Sequence, residues 1–541
     1  MRLTRPAVLG SSCITRTLRF LRADAAAGRP LATLVRDSLD LQSVAGGLPI
    51  SVVDSPGPEV PKRRRWKFRR LLLALAALYL AVAVWHVFKP LPEGIGVAGP
   101  LRATDDATLF ADYTWVGASG ARHSESEIFD EILRLVGQAR RLIVLDMFLY
   151  NDFAGAGSQN HRPLSAQLTQ ALIDRKKAQP TIDVVVITDP FNTLYGGLPS
   201  PHFDALRAAG ITVVITDLKP LRTPNPLWSA IWRMCCSWAG NRDDAGWLPS
   251  PVGTGKVTAR SYLSLLNFNA NHRKTLVVDA GDDWIGLVSS GNPHDASSAH
   301  GNVALRFAGT AALDLLETER AVIALSHADT RLPTPLPTDD RDAEAGGARI
   351  QVLTEGRIRD ALIEALDSAT AGDRVDIDVF YLAHRGLIAA IIDAHRRGIP
   401  LRVLLDPNED AFGRKKNGIP NRQVAWELHR AGVPLRWCDT HGEQCHSKFL
   451  LKSTRDGPSE MILGSANYTR RNLDDYNLET SVRLVAAPDV AAVRDGSSYF
   501  ERRWTNADGR IFSAPYERYA DHSRRRYWRY RLMEATGLST F

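Results

Sequence analysis

Two stretches of this chain are versions of one another: NHRKTLVVD at residues 271–279 and CHSKFLLKS at residues 445–453. The likeness extends upstream, always in the same order. EIFDEILRLVGQARRLIVLDMFLYND (127–152) and RIRDALIEALDSATAGDRVDIDVFYLA (357–383) each show helical apolar spacing followed by an apolar strand. Next come residues 163–192 and 385–410, each a helix and then a strand closing on Asp-Pro, at Asp189-Pro190 and Asp406-Pro407. GITVVITD (210–217) then matches GVPLRWCD (432–439). Four matches in one order predict two copies of an α/β unit, each built as helix–strand, helix–strand and further strands around a largely buried mixed sheet.

Strand side chains alternate between faces, so His272 and Lys274 share one face with Arg273 opposite, and His446 shares a face with Lys448. Each strand leads into a small-residue turn carrying an asparagine, with Ser290 and Asn292 in SSGNPHD and Ser465 and Asn467 in GSANYT. Hydroxyl and carboxamide groups donate hydrogen bonds without adding charge. Together with two histidines and two lysines they form a pocket suited to a phosphate, whose spread negative charge needs stabilising as an ester bond breaks. A histidine pair also suits phosphodiester cleavage: one neutral imidazole attacks phosphorus while the other, protonated, supplies a proton to the leaving alkoxide. Imidazole takes either role near neutral pH. The rival is a metal centre, since His272, Asp279, His294, Asp295 and His300 lie close in sequence. Lys274 beside the histidine would repel a cation, and the spacings match no zinc pattern. One His-x-Lys pair alone is weak evidence, and its weight here comes from the duplication.

Upstream of the duplicated part, the basic block KRRRWKFRR (62–70) precedes LLLALAALYLAVAVWHVF (71–88), and Lys89-Pro90 follows. The run is just long enough for a hydrocarbon core of about 30 Å. It reads as a single membrane span, in an inner (plasma) membrane, with the N-terminus cytoplasmic and the catalytic part periplasmic or extracytoplasmic. Composition is that of a globular protein, 44% apolar and 23% charged over 541 residues, and a net charge of +7 suits a membrane surface or an anionic substrate. The expected organisation is a poorly ordered leader over 1–60, the basic flank and span over 62–90, and a first lobe over 100–335 with an insertion at 218–270. A second lobe then covers 345–510, and a basic aromatic tail covers 511–541. The insertion arises because fifty-four residues separate Asp217 from His272, against six between Asp439 and His446. Its NPLWSAIWRMCCSW segment (225–238) fits a lid, an acyl-chain contact or a packed core helix. The tail alternates Arg with Tyr and Trp and is taken to touch anionic lipid, with a solvated basic helix and a nucleic-acid contact as the other readings. Cys235, Cys236, Cys438 and Cys445 fall beyond the span and Cys13 before it, so either disulfides or buried free thiols are open; a Cys438–Cys445 bridge would brace the loop entering the second motif.

HRKTLVVD with SSGNPHD, and HSKFLLKS with GSANYT and NLE, resemble the phospholipase D superfamily over about residues 125–510, most closely its bacterial cardiolipin synthase and phosphatidyltransferase members. The resemblance implies two tandem α-β-α lobes packed pseudo-symmetrically behind the span. It implies His272 as the nucleophile forming a phosphohistidine, His446 as general acid, and Lys274, Lys448, Asn292 and Asn467 as phosphate-holding groups. It further implies a glycerophospholipid substrate, an alcohol or lipid acceptor, and no metal or other cofactor, while the span and the Trp-rich insertion count against nucleic acid. Hydrolysis to phosphatidic acid, and an inactive membrane scaffold keeping the fold, are the alternatives.

The sequence departs from that pattern in three places. Ser453 replaces the motif aspartate that Asp279 supplies in the first copy, and Ser289 stands where the first turn would have glycine. The acid expected about a dozen places after the asparagine is present as Glu479, whereas the first copy has NVA there, with Ala304. In relatives such an acid orients a histidine across the two halves, so Glu479 is expected to hold His272 and to leave His446 without a carboxylate. Parity points Asp279 and Ser453 away from the histidines, which makes both structural positions.

Overall fold

The computed structural model of the chain describes residues 62–153, 161–281, 283–330, 332, 347–411, 414–539 and 541. The leader expected over 1–60, with Cys13, lies outside the described residues. The chain divides into two units, residues 1–71 and residues 72–541. In the first unit Arg70 stacks over the Trp66 ring at 3.5 Å. One helix, Lys62–Phe88, carries the apolar run, and its Trp66–Phe88 part is long and apolar enough to cross a membrane. It fits a membrane anchor.

The second unit is built on two large mixed sheets. One runs Arg122–Glu125, Ala107–Val116, Asn302–Ala308, Asp283–Ser289, Lys274–Ala280, Leu142–Met147, Asp183–Thr188, Thr212–Ile215. The other runs Arg102–Thr104, Ala348–Thr354, Thr480–Ala486, Ser459–Gly464, Lys448–Ser453, Arg374–Val379, Leu401–Leu405, Leu435–Cys438, Ser513–Pro515. From Ala107–Val116 in one and Ala348–Thr354 in the other, the order and pairing sense match: four antiparallel pairings, then two parallel. Parallel neighbours require a crossover. The helices Leu164–Ala178 and Arg385–Arg396 provide the first crossover in each sheet, and Pro201–Ala208 and Asn421–Arg430 the second. The central strand Leu142–Met147 is buried along its whole length, which explains its continuous apolar sequence.

The two sheets pack face to face and share one core. Val144, Val277, Val303 and Leu305 of one belong to the same apolar cluster as Phe449, Leu451, Val482 and Leu484 of the other. Each outer face has its own cluster under helices, with Ile128, Ile132 and Leu135 on the first and Ile358, Leu362 and Leu366 on the second. The lobes also exchange elements. Helix Thr310–Leu325 packs on strand Ala348–Thr354 of the second sheet, and helix Ala491–Thr505 packs on Ala107–Val116 of the first. Two short segments fall differently from the sequence expectation. Arg102–Thr104, grouped with the first lobe, is an edge of the second sheet, and Ser513–Pro515, grouped with the tail, is its other edge. Three-residue strands carry too little alternation to be seen in sequence, and here they cover edges that would otherwise stay open. The four cysteines beyond the span form Cys235–Cys236 and Cys438–Cys445 bridges.

Asp279 is fully buried, and its Oδ1 accepts from the backbone N–H groups of Arg140, Arg141 and Leu142 at 3.1, 2.8 and 2.9 Å. It thereby fastens the start of strand Leu142–Met147. In the second lobe Ser453 pairs with Arg374, and the nearby turn is closed instead by Asp373, which accepts from the Thr370 N–H at 2.8 Å. Removing Asp279 takes the acceptor from the buried Leu142 N–H and the part-buried Arg140 and Arg141 N–H groups, so Asp279→Ala is expected to lower stability by about 2 kcal/mol in thermal or denaturant unfolding. Ser453→Ala, measured the same way, should change it by no more than about 0.5 kcal/mol.

Candidate active site

Each motif histidine stands just ahead of its strand and is pinned by the opposite lobe. The His272 N–H donates to the Leu478 carbonyl at 2.8 Å, and the Leu478 N–H returns a bond to Ala270 at 3.0 Å. In the same arrangement, the His446 N–H donates to Gly301 at 2.8 Å, and the Gly301 N–H to Gln444 at 3.0 Å. The Asp-Pro aspartates hold the preceding residue. Asp189 accepts from the Asn271 N–H at 2.7 Å and Asp406 from the Cys445 N–H at 2.8 Å. Burial pushes each of these carboxyls up to about 7. Phe148 and Phe380 complete the two settings, their rings 4.7 and 5.1 Å from those of His272 and His446.

Behind each imidazole lies one orienting side chain, again from the other lobe. His272 Nδ1 is 3.0 Å from Glu479 Oε2. Burial would raise the Glu479 carboxyl, but His272, Lys274 and the Ser465 hydroxyl hold it below the usual carboxylate range. A carboxylate only accepts, so the His272 proton sits on Nδ1 and the Nε2 lone pair is left for the cavity. Burial carries His272 down to about 4 against the opposing pull of Glu479, so the ring is neutral near pH 7.

Beside His446 the equivalent place is taken by Asn302, whose Oδ1 is 3.2 Å from Nδ1. Asn302 Nδ2 donates to Asp112 at 3.2 Å, which fixes the amide with its oxygen towards the histidine. The equivalence follows from the turns. Ser465 Oγ accepts from the Thr480 N–H and Ser290 Oγ from the Val303 N–H, each at 3.0 Å, and the preceding residues are Glu479 and Asn302. This corrects the placement of the first-copy position at Ala304, which instead pairs with Ser289 inside the sheet. His446 therefore has a neutral partner. Burial, followed by Lys448, His300, Lys274 and His272, holds its pKa well below the ordinary value.

The expected phosphate contact through Ser290 and Ser465 is also corrected. Both are fully buried, and their hydroxyls donate to Asn302 at 3.4 Å and to Glu479 at 2.5 Å. They position the orienting groups. Lys274 and Lys448 are buried as well, each Nζ donating to its own motif histidine's carbonyl at 2.6 Å over a Phe148 or Phe380 ring. Burial lowers Lys274 to about 7 and Lys448 well below its ordinary value.

In front lies a cavity of about 380 Å³ lined by His272, His446, Asn292, Asn467, His300 and Arg471, among others. Asn292 Oδ1 is engaged by the Leu149 N–H at 3.2 Å, and the buried Asn467 Oδ1 has no hydrogen-bond partner among the described residues. Arg471 and Asn302 were not singled out by the sequence, although Arg471 stands four residues after Asn467 and Asn302 lies within the NVA triplet already compared with NLE. Of the residues of the rival metal reading, Asp279, His294 and Asp295 are engaged by other protein groups. His294 meets Ser297 and the Phe153 carbonyl at 2.9 and 2.6 Å, and Asp295 accepts from Ser165.

Residues 362–504 match the family described as cardiolipin synthase, PLD-like domain. Among solved structures, a phosphatidylserine synthase from Haemophilus influenzae Rd KW20 has a TM-score of 0.51 at 9% identity, covering 82% of this chain and 96% of its own. That similarity shows a shared fold. Polyphosphate kinase from Porphyromonas gingivalis (TM-score 0.41, 14% identity, 80% of this chain, 53% of its own) and Nuc, a phospholipase D family member from Salmonella typhimurium (0.24, 19%, 29% and 95%), also match. No curated protein matches the chain in sequence.

If neutral His272 is the reacting group, kcat/KM should show an acid limb near pH 4, because below that value Nε2 is protonated. Glu479→Gln is expected to reduce turnover by roughly 10³–10⁴-fold in the same assay without loss of the folded state.

Proposed function

We propose that the chain is a member of the phospholipase D superfamily and that it transfers a phosphatidyl group from a glycerophospholipid to an alcohol, in the manner of a cardiolipin synthase; the family match over residues 362–504 and the shared fold support this reading. The two lobes, residues 100–335 and 345–510, contribute one histidine each to a single site. The observation that carries this reading is the unequal pair of orienting groups: a carboxylate 3.0 Å from His272 Nδ1 and an amide oxygen 3.2 Å from His446 Nδ1. Environments that push two like groups apart separate their roles.

His272 Nε2 attacks phosphorus, and the bond from phosphorus to the departing alkoxide breaks. His446 protonates that oxygen, the anionic phosphodiester beside it favouring its charged form. Neutral His446 then accepts the proton of an incoming alcohol, whose oxygen attacks phosphorus as the phosphorus–nitrogen bond to His272 breaks. Asn292, Asn467 and Arg471 face the phosphoryl oxygens, with Lys274 and Lys448 supplying positive charge from behind. Water in place of the alcohol would give phosphatidic acid. The basic flank before the span supports a cytoplasmic N-terminus with the lobes on the far side of the membrane.

Incubating the purified full chain with phosphatidylglycerol, alone or together with phosphatidylethanolamine, with and without EDTA, tests the proposal by product identification. Cardiolipin formed equally well with EDTA is the expected result, falling by about 10³-fold or more in His272→Ala and His446→Ala. Phosphatidic acid as the sole lipid product would replace transfer by hydrolysis. Untouched lipid would favour the scaffold alternative, and loss of activity in EDTA would overturn the metal-free chemistry.

A further inference from the structure

The first-lobe insertion contains a helix, Pro226–Cys235, that buries Ser229, Ala230 and Trp232 and leaves an apolar stripe uncovered. Leu227, Ile231, Met234 and, just past the helix, Trp238 are 54%, 47%, 40% and 80% exposed. The spacing i, i+4, i+7 puts Leu227, Ile231 and Met234 on one face, and the exposed Trp238 follows just beyond it. We propose that this face is seated in the acyl region of the bilayer beside the membrane span, so that the catalytic cavity opens towards lipid at the membrane.

The occupant follows from where the helix is fastened. Tyr79, inside the apolar run, donates its hydroxyl to the Leu227 carbonyl at 2.9 Å. The Thr223 N–H donates to the His86 carbonyl at 2.9 Å, and Arg222 Nε to the Lys89 carbonyl at 2.9 Å. Tyr79 lies nine residues before Phe88, a rise of about 13 Å along the helix axis. A span crossing the bilayer therefore carries Leu227 down with it, below the level of its own end. At that depth an apolar stripe meets lipid and gains from it, as an interfacial amphipathic helix does.

The same segment packs behind the wall of the active cavity. Trp228 Nε1 donates to the Leu263 carbonyl at 2.9 Å and Asn225 Nδ2 to the Leu266 carbonyl at 2.7 Å. Leu265 and Phe268, from that same stretch, line the cavity that holds His272 and His446. A phospholipid in the adjoining leaflet would thus have only this wall to pass.

The seating rests on the span, and its use as an entrance rests on the phospholipid reading above. Two measurements separate them. Ile231→Cys, in a Cys13→Ser background and carrying an environment-sensitive fluorophore, is reconstituted with the full chain into phosphatidylglycerol–phosphatidylcholine vesicles. Quenching by lipids brominated along their acyl chains, with protection from iodide, is expected. Quenching by iodide without quenching by bromolipid would overturn the seating. Ile231→Asp with Met234→Asp should then lower turnover of bilayer phosphatidylglycerol by about tenfold while sparing a short-chain, water-dispersed phosphatidylglycerol. Equal turnover of both lipids by wild type and variant, or equal loss on both, would overturn the entrance. Wild type inert towards both lipids would sink the phospholipid reading, and with it the entrance, while the quenching result still decides the seating.

Discussion

Backbone hydrogen bonds exchanged between the lobes are the constraint on which the rest of this site depends. The N–H of each motif histidine is buried and must find an acceptor, and in both cases the acceptor belongs to the other half of the molecule. Because the bond is made by the main chain, it fixes the histidine whatever side chain follows on the partner strand. That freedom lets Glu479 and Asn302 occupy matching places with different chemistry. A symmetric scaffold thus presents two histidines with unequal neighbours.

Electrostatics reinforce the division. Two lysines and two histidines lie together out of water, and burial lowers all four. An anionic group placed beside these four would favour their charged forms, as the Glu479 carboxylate already does for His272 and Lys274. Beneath them, Arg273 is fully buried and bonds Glu355 at 2.9 Å, while Glu355 also accepts from the Glu479 N–H at 3.0 Å. The residue that alternation turns away from the cavity is therefore part of its foundation.

Much of this was legible in the sequence, because strand alternation and the order of apolar segments are local properties. The motif positions, the Asp-Pro strand ends, the backward-facing Asp279 and the approach of Glu479 to His272 across the halves all followed from them or from the family resemblance. Asn302 did not. It lies ten positions after Asn292, whereas Glu479 lies twelve after Asn467, so equal counting lands on Ala304, two places too far. Loop length was the hidden variable. Ser290 and Ser465 were misassigned for another reason: a hydroxyl suits a phosphate and a neighbouring carboxylate or amide equally well, and only geometry shows which it meets. The edge segments Arg102–Thr104 and Ser513–Pro515 escaped notice because their partners are distant in sequence and their own pattern is too short.

The cross-lobe pairing also bears on how the protein is made. His272 and Glu479 are 207 residues apart and His446 and Asn302 are 144 apart, contacts of high sequence separation that form only after the intervening chain is in place. The apolar helix near the start emerges long before either pair can close. A chain that folds as it emerges would therefore be held among lipids as a half-built, inert intermediate. Its competence would arrive in one step, when the last strands of the second sheet are synthesised and docked.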